Sequence, residues 1–393
     1  MNSRWNDARR ILGVRLDNMG DVLMTTPAIR ALKAARPDRH ITLLTSPAGA
    51  AVAKLVPDVD AVIVFDAPWM KGGAERTIAP TDDAAVEALL RAGDYDAAVI
   101  FTVYSQSALP AAYLCYRAGI PLRLAHCREN PYALLTDWVA ESEPGKTIRH
   151  EVRRQLDLVA TVGCPSDSQR MSFAVHDHAC REVRQMLGEL GLDFGRPWVL
   201  LHAGASAPSR RYPPPLFAQA VRLLAEAGCQ TVLAGSAGEV DDVEAIQRMA
   251  DVPTLSLAGR LDLAGLGAAI LLADVVICNN SGPAHLAAAI GTPLVELYAL
   301  TNPQHTPWMV RHTLLFHDVP CRFCYKSVCP QGHQDCLRRV DPVQVAEAAL
   351  ALLPFGLRWM ISEVAEPRAP VAKFPTTRTA LPRAKASCVG SAS

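Results

Sequence analysis

The sequence predicts an α/β protein built of two doubly wound units, each a parallel sheet covered by helices, facing a central cleft. Three observations predict it. Short apolar segments rich in β-branched residues alternate with helix-length segments, as in sheets buried on both faces. This alternation occurs twice, over residues 11–101 and again over residues 198–298, with a less regular stretch between. The third observation is the stretch Cys278-Asn279-Asn280-Ser281-Gly282-Pro283-Ala284-His285, which joins a buried strand to a small-residue helix through a tight turn. Such a turn points free backbone N–H groups and the positive end of a helix dipole at the strand's carboxyl edge, where a phosphate can sit. His285 falls in the first helical turn and can face that anion. A plain turn capped by Asn280 or Ser281 has the same local pattern.

In chain order, residues 11–16 form the first expected strand. The loop Asp17-Asn18-Met19-Gly20 follows, with a helix from Asp21 to about residue 35. Strands are expected at 41–45, 61–65 and 96–101, with helices at 50–56 and 82–92 and a polar loop at 69–80. Residues 108–139 are less regular. With Tyr104 just before them, they mix Tyr113, Tyr116, Tyr132 and Trp138 with Arg117, Arg123 and Arg128. That mixture suits an amphiphilic partner or a membrane interface, or else core aromatics with surface arginines. A helix at 150–162 and a connector at 165–176 lead into the second unit. There, strands are expected at 198–202, 230–234, 273–277 and 294–298. Helices are expected at 179–190 and 216–227, from Glu239, and at 343–353. The expected domains are 1–170 and 171–353, followed by a disordered tail at 354–393, whose last part is proline-rich and basic.

The length, 393 residues, suits two domains, and half the residues are hydrophobic, enough for a sizeable core. A formal net charge of zero gives no bulk attraction for nucleic acid. No apolar run reaches the roughly 18 residues of a spanning helix. The polar start of the chain is unlike a secretory signal. A cytoplasmic protein, soluble or peripheral, is therefore expected. In that compartment the 11 cysteines read as free thiols or metal ligands before disulfides.

Three loops at expected strand ends carry candidate chemistry. In Asn18-Met19-Gly20-Asp21, a carboxylate at a helix start beside a glycine can act as a general base or simply cap the helix. In residues 203–212, Gly204 and Ser206 resemble a ligand loop, and a guanidinium of Arg210 or Arg211 could neutralise a leaving diphosphate. The third loop is the Ser281-Gly282 turn. A base in one unit and anion stabilisers in the other suit transfer from a nucleotide-activated donor to a hydroxyl. A further constellation is Cys321-x2-Cys324-x4-Cys329-x6-Cys336, enclosing His333. It could hold zinc or an iron–sulfur cluster, although its spacing fits neither the paired zinc pattern nor the plant ferredoxin pattern. No cofactor is expected.

Four stretches, ILGVRLDNMGDVLMTTPAIR (11–30), HAGASAPSRRY (202–212), NNSGPAH (279–285) and the cysteine segment 320–337, together resemble the ADP-heptose:lipopolysaccharide heptosyltransferases of glycosyltransferase family 9. The resemblance covers about residues 10–350. It implies a GT-B architecture of two Rossmann-like domains, with the acceptor on the N-terminal side and the nucleotide sugar on the C-terminal side. It implies an inverting, metal-independent transfer of heptose from ADP-heptose to a lipopolysaccharide-core-type glycolipid, by a protein peripheral to the inner face of the cytoplasmic membrane. Asp21 would be the base, with Asn18, Met19 and Gly20 on the acceptor side. Arg210 or Arg211, Gly204, Ser206, Asn280, Ser281, Gly282 and His285 would hold the donor, and Glu239 its ribose. The family usually has Asp where this chain has Asn280, which keeps the hydrogen bonds and loses the charge. Tyr212 replaces a common tryptophan. The alternatives are a GT-B transferase or epimerase for another nucleotide sugar, and a non-catalytic sugar-nucleotide or glycolipid-binding protein.

Overall fold

Among the described residues, twelve strands form two parallel sheets of six, wound in the same way. The structure is a computed structural model that describes residues 3–70, 80–145 and 147–354. The first sheet holds β1 (Arg10–Arg15), β2 (His40–Thr45), β3 (Ala61–Val64), β4 (Ala97–Ile100), β5 (Leu122–Cys127) and β6 (Asp137–Ala140), in the order β3-β2-β1-β4-β5-β6. The second holds β7 (Trp198–His202), β8 (Gln230–Ala234), β9 (Leu255–Ser256), β10 (Val275–Asn279), β11 (Leu294–Leu297) and β12 (His312–Leu315), in the order β9-β8-β7-β10-β11-β12. Each sheet thus reverses direction once, between β1 and β4 and between β7 and β10. Ligands of doubly wound sheets sit outside the strand ends at such a reversal.

The sequence builds these layers for simple reasons. β1, β4, β7 and β10 are almost wholly buried and apolar, as central strands covered on both faces must be. Parallel neighbours require crossovers, and helices supply them. The Met19–Ala35 helix packs on the Glu151–Ala160 helix and also on the Gly282–Ile290 helix of the second half. One continuous apolar core therefore runs from Val22 and Leu23 through Ala284 and Leu286. Residues 161–176 contain neither helix nor strand and connect the halves. They are tied down by Ser172 N donating to Thr26 Oγ1 at 2.9 Å and Trp308 Nε1 donating to the Gln169 carbonyl at 2.9 Å.

The structure departs from the sequence expectation in several places. The helix after β1 starts at Met19 rather than Asp21, so Met19 and Gly20 belong to its first turn and only Asn18 precedes it. The irregular stretch 108–139 contains the Leu109–Arg117 helix and two strands, β5 and β6. β5 is buried along its whole length although it carries Arg123 and His126. Arg123 is satisfied locally, donating to the carbonyls of Leu134 at 2.7 Å and Ala133 at 2.8 Å. Arg128 likewise donates to the Glu143 carbonyl at 2.6 Å. Polar residues with such private partners hide a buried strand from a hydrophobicity pattern. Strand β12 was unanticipated because it is an edge strand whose first residues, His312 and Thr313, are polar and not buried. Tyr113, Tyr116, Tyr132 and Trp138 are exposed. Among the described residues no helix is long and apolar enough to cross a membrane. The expected tail lies outside the described residues beyond Pro354, as does most of the loop 69–80.

Candidate active site

The first reversal is built around a buried charge. Arg15 ends β1, fully buried, and meets three carboxylates: Asp17 at 3.0 Å, Asp21 at 3.1 Å and Glu151 at 2.9 Å. Burial alone would favour the neutral guanidine, but these carboxylates outweigh it and keep Arg15 charged. Asp21 sits in the first turn of the Met19–Ala35 helix, where Oδ2 accepts from the Asn18 N–H at 3.3 Å. Its side chain is 15% exposed, so the carboxylate is not fully enclosed. Asp17 Oδ1 accepts from Gln106 Nε2 at 2.5 Å. Beside it, a cavity of about 140 Å³ lined by Tyr104, Ser105, Gln106, His126, Arg128 and Glu141 opens beyond the ends of β4, β5 and β6.

The second reversal is built from small residues around the carboxylate of Glu239, on the loop after β8. The β7 loop brings Gly204 so close to Glu239 that a Cβ there would lie 1.7 Å from Oε1. Burial would raise the Glu239 pKa, but the Ser236 N–H and hydroxyl, His202 and Arg211 bring it below the usual value. Ser236 N and Oγ donate to Glu239 Oε2 at 2.7 and 2.9 Å. Asn279 ends β10 and joins the loops. Its Oδ1 accepts from the Tyr212 N–H at 3.0 Å, and its Nδ2 donates to the Ala203 carbonyl. Asn280 is buried with Nδ2 lacking a hydrogen-bond partner. Ser281 stands at the N-cap position of the Gly282–Ile290 helix without a side-chain capping bond, its hydroxyl donating instead to the Asn279 carbonyl at 3.2 Å.

The two reversals touch. A Cβ on Gly282 would lie 2.0 Å from Met19 Cε, and one on Gly20 would lie 2.5 Å from His285 Cδ2. The N-termini of the two helices therefore abut, one carrying Asp21 and the other the Ser281-Gly282 turn. His305 completes the junction, with Nε2 3.9 Å from Asp21 Oδ1 and its ring edge-on to His285 at 6.2 Å. Burial, followed by the neighbouring His305, takes His285 down to about 3, so it is neutral at pH 7. It offers a hydrogen bond to an anion, not a charge. Burial followed by the Arg210 charge also holds His305 neutral.

The expected pair Arg210-Arg211 divides. Arg210 closes the short Pro208–Arg210 helix, and its charge acts on His285, His305, Glu296 and Tyr298 at the junction. Arg211 donates from Nε to the Ala205 carbonyl at 2.7 Å, and its charge acts on Glu239. Ser206 is exposed in the same loop. Tyr212 is a core anchor, donating to the Val340 carbonyl at 2.8 Å.

Sequence reasoning missed Arg15, Asp17, Asn279, Glu151, Glu296 and His305. Arg15 and Glu296 each left a signal: a charge inside an otherwise apolar strand segment is expensive and needs a reason. Glu296 lies on β11, fully buried, both carboxylate oxygens without hydrogen-bond partners, and burial raises its pKa well above the carboxylate range. Glu151 and His305 left none, because their partners are far away in sequence.

A family model described as glycosyltransferase family 9 (heptosyltransferase) matches residues 84–334. Lipopolysaccharide heptosyltransferase 2 of Escherichia coli is 25% identical over 371 residues, covering 88% of this chain and 98% of its own. Of solved structures, the glycosyl transferase family 9 protein of Veillonella parvula aligns with TM-score 0.73 and 22% identity over 88% of this chain and 97% of that one. The E. coli ADP-heptose lps heptosyltransferase II aligns with TM-score 0.67 and 23% identity over 87% and 98%. With two parallel α/β sheets, these likenesses give the fold as GT-B.

Proposed function

The chain belongs to glycosyltransferase family 9, and on that premise we propose that it transfers a heptose from an ADP-activated donor, with inversion, to a hydroxyl of a lipopolysaccharide-core-type glycolipid. The observation that carries this reading is the abutment of the two helix starts, which sets a carboxylate beside an anion seat. The acceptor hydroxyl approaches from the Tyr104–Glu141 cavity side and gives its proton to Asp21 as its oxygen bonds to the anomeric carbon. The bond from that carbon to the diphosphate breaks on the opposite face, which inverts the centre. Arg210, the N–H groups at Ser281-Gly282 and the helix dipole take up the charge left on the diphosphate, so the step calls for no metal ion. Arg15 fixes the rotamer of Asp21, and Glu239, beside Gly204, suits the nucleotide ribose hydroxyls. The exposed Tyr113, Tyr116, Tyr132 and Trp138 suit a peripheral protein working on a lipid-linked acceptor.

Asn280 favours one second reading, a different nucleotide sugar, because the usual acid is absent. One experiment separates the two. ADP, UDP, GDP and CDP are titrated against wild type and Asp21→Asn, and turnover of ADP-heptose is measured on a lipopolysaccharide-core acceptor. We expect selective ADP binding, unchanged in Asp21→Asn, with turnover down by roughly 10²–10⁴. Selective UDP or GDP binding would discard the donor. Equal turnover by the two proteins would discard Asp21 as the base.

A further inference from the structure

The cysteine segment takes part in none of these steps, yet the fold gathers it. Cys321, Cys324, Cys329 and Cys336 line a single cavity of about 20 Å³, together with His333 and Ser209. That volume admits one occupant the size of a water molecule or an ion. All four are free thiols. His333 is oriented toward them: Nδ1 accepts from the Asp335 N–H at 2.9 Å, and Nε2 stands 3.9 Å from Cys321 Sγ. Of the other free cysteines, Cys115, Cys127, Cys164, Cys229 and Cys278 are buried at separate places in the core. The concentration of thiols here is therefore a property of this loop.

The loop has little apolar support. It rests on a small cluster of Tyr298, Leu300, Leu314 and Val319. It nevertheless holds up part of the active site. Ser209 donates from its N–H to the Ser327 carbonyl at 3.0 Å and from its hydroxyl to the Lys326 carbonyl at 2.8 Å. Gln334 Nε2 donates to the carbonyls of Pro208 at 2.8 Å and Arg211 at 3.1 Å. The backbone on both sides of Arg210 is thus pinned to the cysteine loop, and beyond Arg211 the Tyr212 N–H is held by Asn279.

We propose that the four thiols bind one divalent thiophilic ion, zinc or ferrous iron, and that this ion fixes the loop that positions Arg210. Tetrahedral thiolate sites are the preferred setting for such ions. Each ligating thiol releases its proton to water, so an M²⁺ ion on four thiolates carries a net charge of −2. His333 Nε2–H then donates to the Cys321 sulfur, the usual outer support of a thiolate ligand. Among the described residues no three side chains already stand in place to hold an ion. Binding therefore draws the thiols inward by side-chain rotation, and the ion-free loop is the looser state.

The test uses the full chain purified without chelator, with zinc and iron measured by elemental analysis. We expect about one zinc or iron per chain. Stripping the wild type with a chelator should lower Tm. Adding Co²⁺ should restore it and produce the intense visible bands of a tetrahedral thiolate site. The Cys324→Ser/Cys329→Ser double variant should lose the metal, and stripped wild type should bind ADP several-fold more weakly. The metal and spectral readouts stand whether or not ADP is the donor nucleotide. Three results overturn the proposal: metal-free wild type whose Tm ignores added Zn²⁺ and Co²⁺, iron accompanied by equimolar acid-labile sulfide, or disulfides among these cysteines in protein kept anaerobic. The wild-type measurements decide the question even if the variant fails to fold.

Discussion

The two sheet reversals share a topology and differ in chemistry. Around β1 and β4, one buried cation is shared by Asp17, Asp21 and Glu151, leaving an excess of negative charge. Around β7 and β10, the strand ends offer Gly204, Asn280, Ser281 and a neutral His285, with Arg210 and Arg211 on the adjoining loop. Winding order decides where a ligand sits, and the side chains at the strand ends decide which ligand. A carboxylate-rich reversal can accept a proton. One made of helix N–H groups and guanidinium can accept a departing phosphate. Joined face to face, they suit the division of labour that the proposed transfer requires.

The sharpest way to break this contrast is to remove the cation from the first reversal. Arg15→Met leaves three carboxylates facing one another, two of them in or near full burial. Breaking a buried ionic cluster from one side costs about 3–5 kcal/mol, because the remaining charges stay desolvated. Urea unfolding should show that loss. Glu151→Gln keeps a hydrogen-bond partner for Arg15 and should cost less. A loss below about 1 kcal/mol for Arg15→Met would mean that the cluster is hydrated and does not position Asp21.

A smaller effect probes where the reversals meet. The added methyl of Gly20→Ala would run into the ring of the buried His285. Overpacking of this kind costs about 1–3 kcal/mol. Gly282→Ala meets only the terminal methyl of Met19, which can swing aside, and should cost well under about 1 kcal/mol. Thermal melts of the pair test whether the abutment is as tight on one side as it is loose on the other. Equal costs would mean that the helix starts do not pack as described.

The legibility of the chain follows the same division. The strand-turn-helix of residues 273–290 could be read because its elements are contiguous and each residue acts locally: a buried strand, a cap, a proline at the first turn, a small-residue helix. Asp21 could be read as a helix-start carboxylate for the same reason. What made it part of a cluster could not, since Glu151 is 136 residues from Arg15 and reaches it only through tertiary packing. β5 was missed because Arg123 finds its partners in the following turn, so polarity in the sequence did not mean exposure in the fold. The separation of Arg210 from Arg211 was also invisible, because two adjacent guanidinium groups read alike until the loop assigns them to opposite neighbours.

The last prediction concerns acid and again compares two places. His150 lies at the junction of the halves, with Nε2–H donating to the Thr306 carbonyl at 2.8 Å and its ring stacked on Trp308 at 4.2 Å. Burial takes it down to about 4, and takes His285 at the same junction down to about 3. His126, inside the first half, also falls to about 3, through burial followed by the charge of Arg154. All three are neutral in the folded chain at pH values where the unfolded chain protonates them, so the unfolded state binds more protons. Stability should hold above the ordinary histidine pKa of about 6.5 and fall as pH drops below it, by up to about 1.4 kcal/mol per pH unit for each histidine. His150→Gln keeps an N–H donor for Thr306 and should flatten the slope between pH 6 and 4.5 by one proton's worth, with His126→Gln doing the same. If the halves separate before they unfold, only the junction histidines will report on the first loss of structure. Monitoring Trp308 fluorescence against circular dichroism across that range distinguishes the cases: coincident transitions mean one cooperative core, and an earlier fluorescence change means that acid opens the junction first.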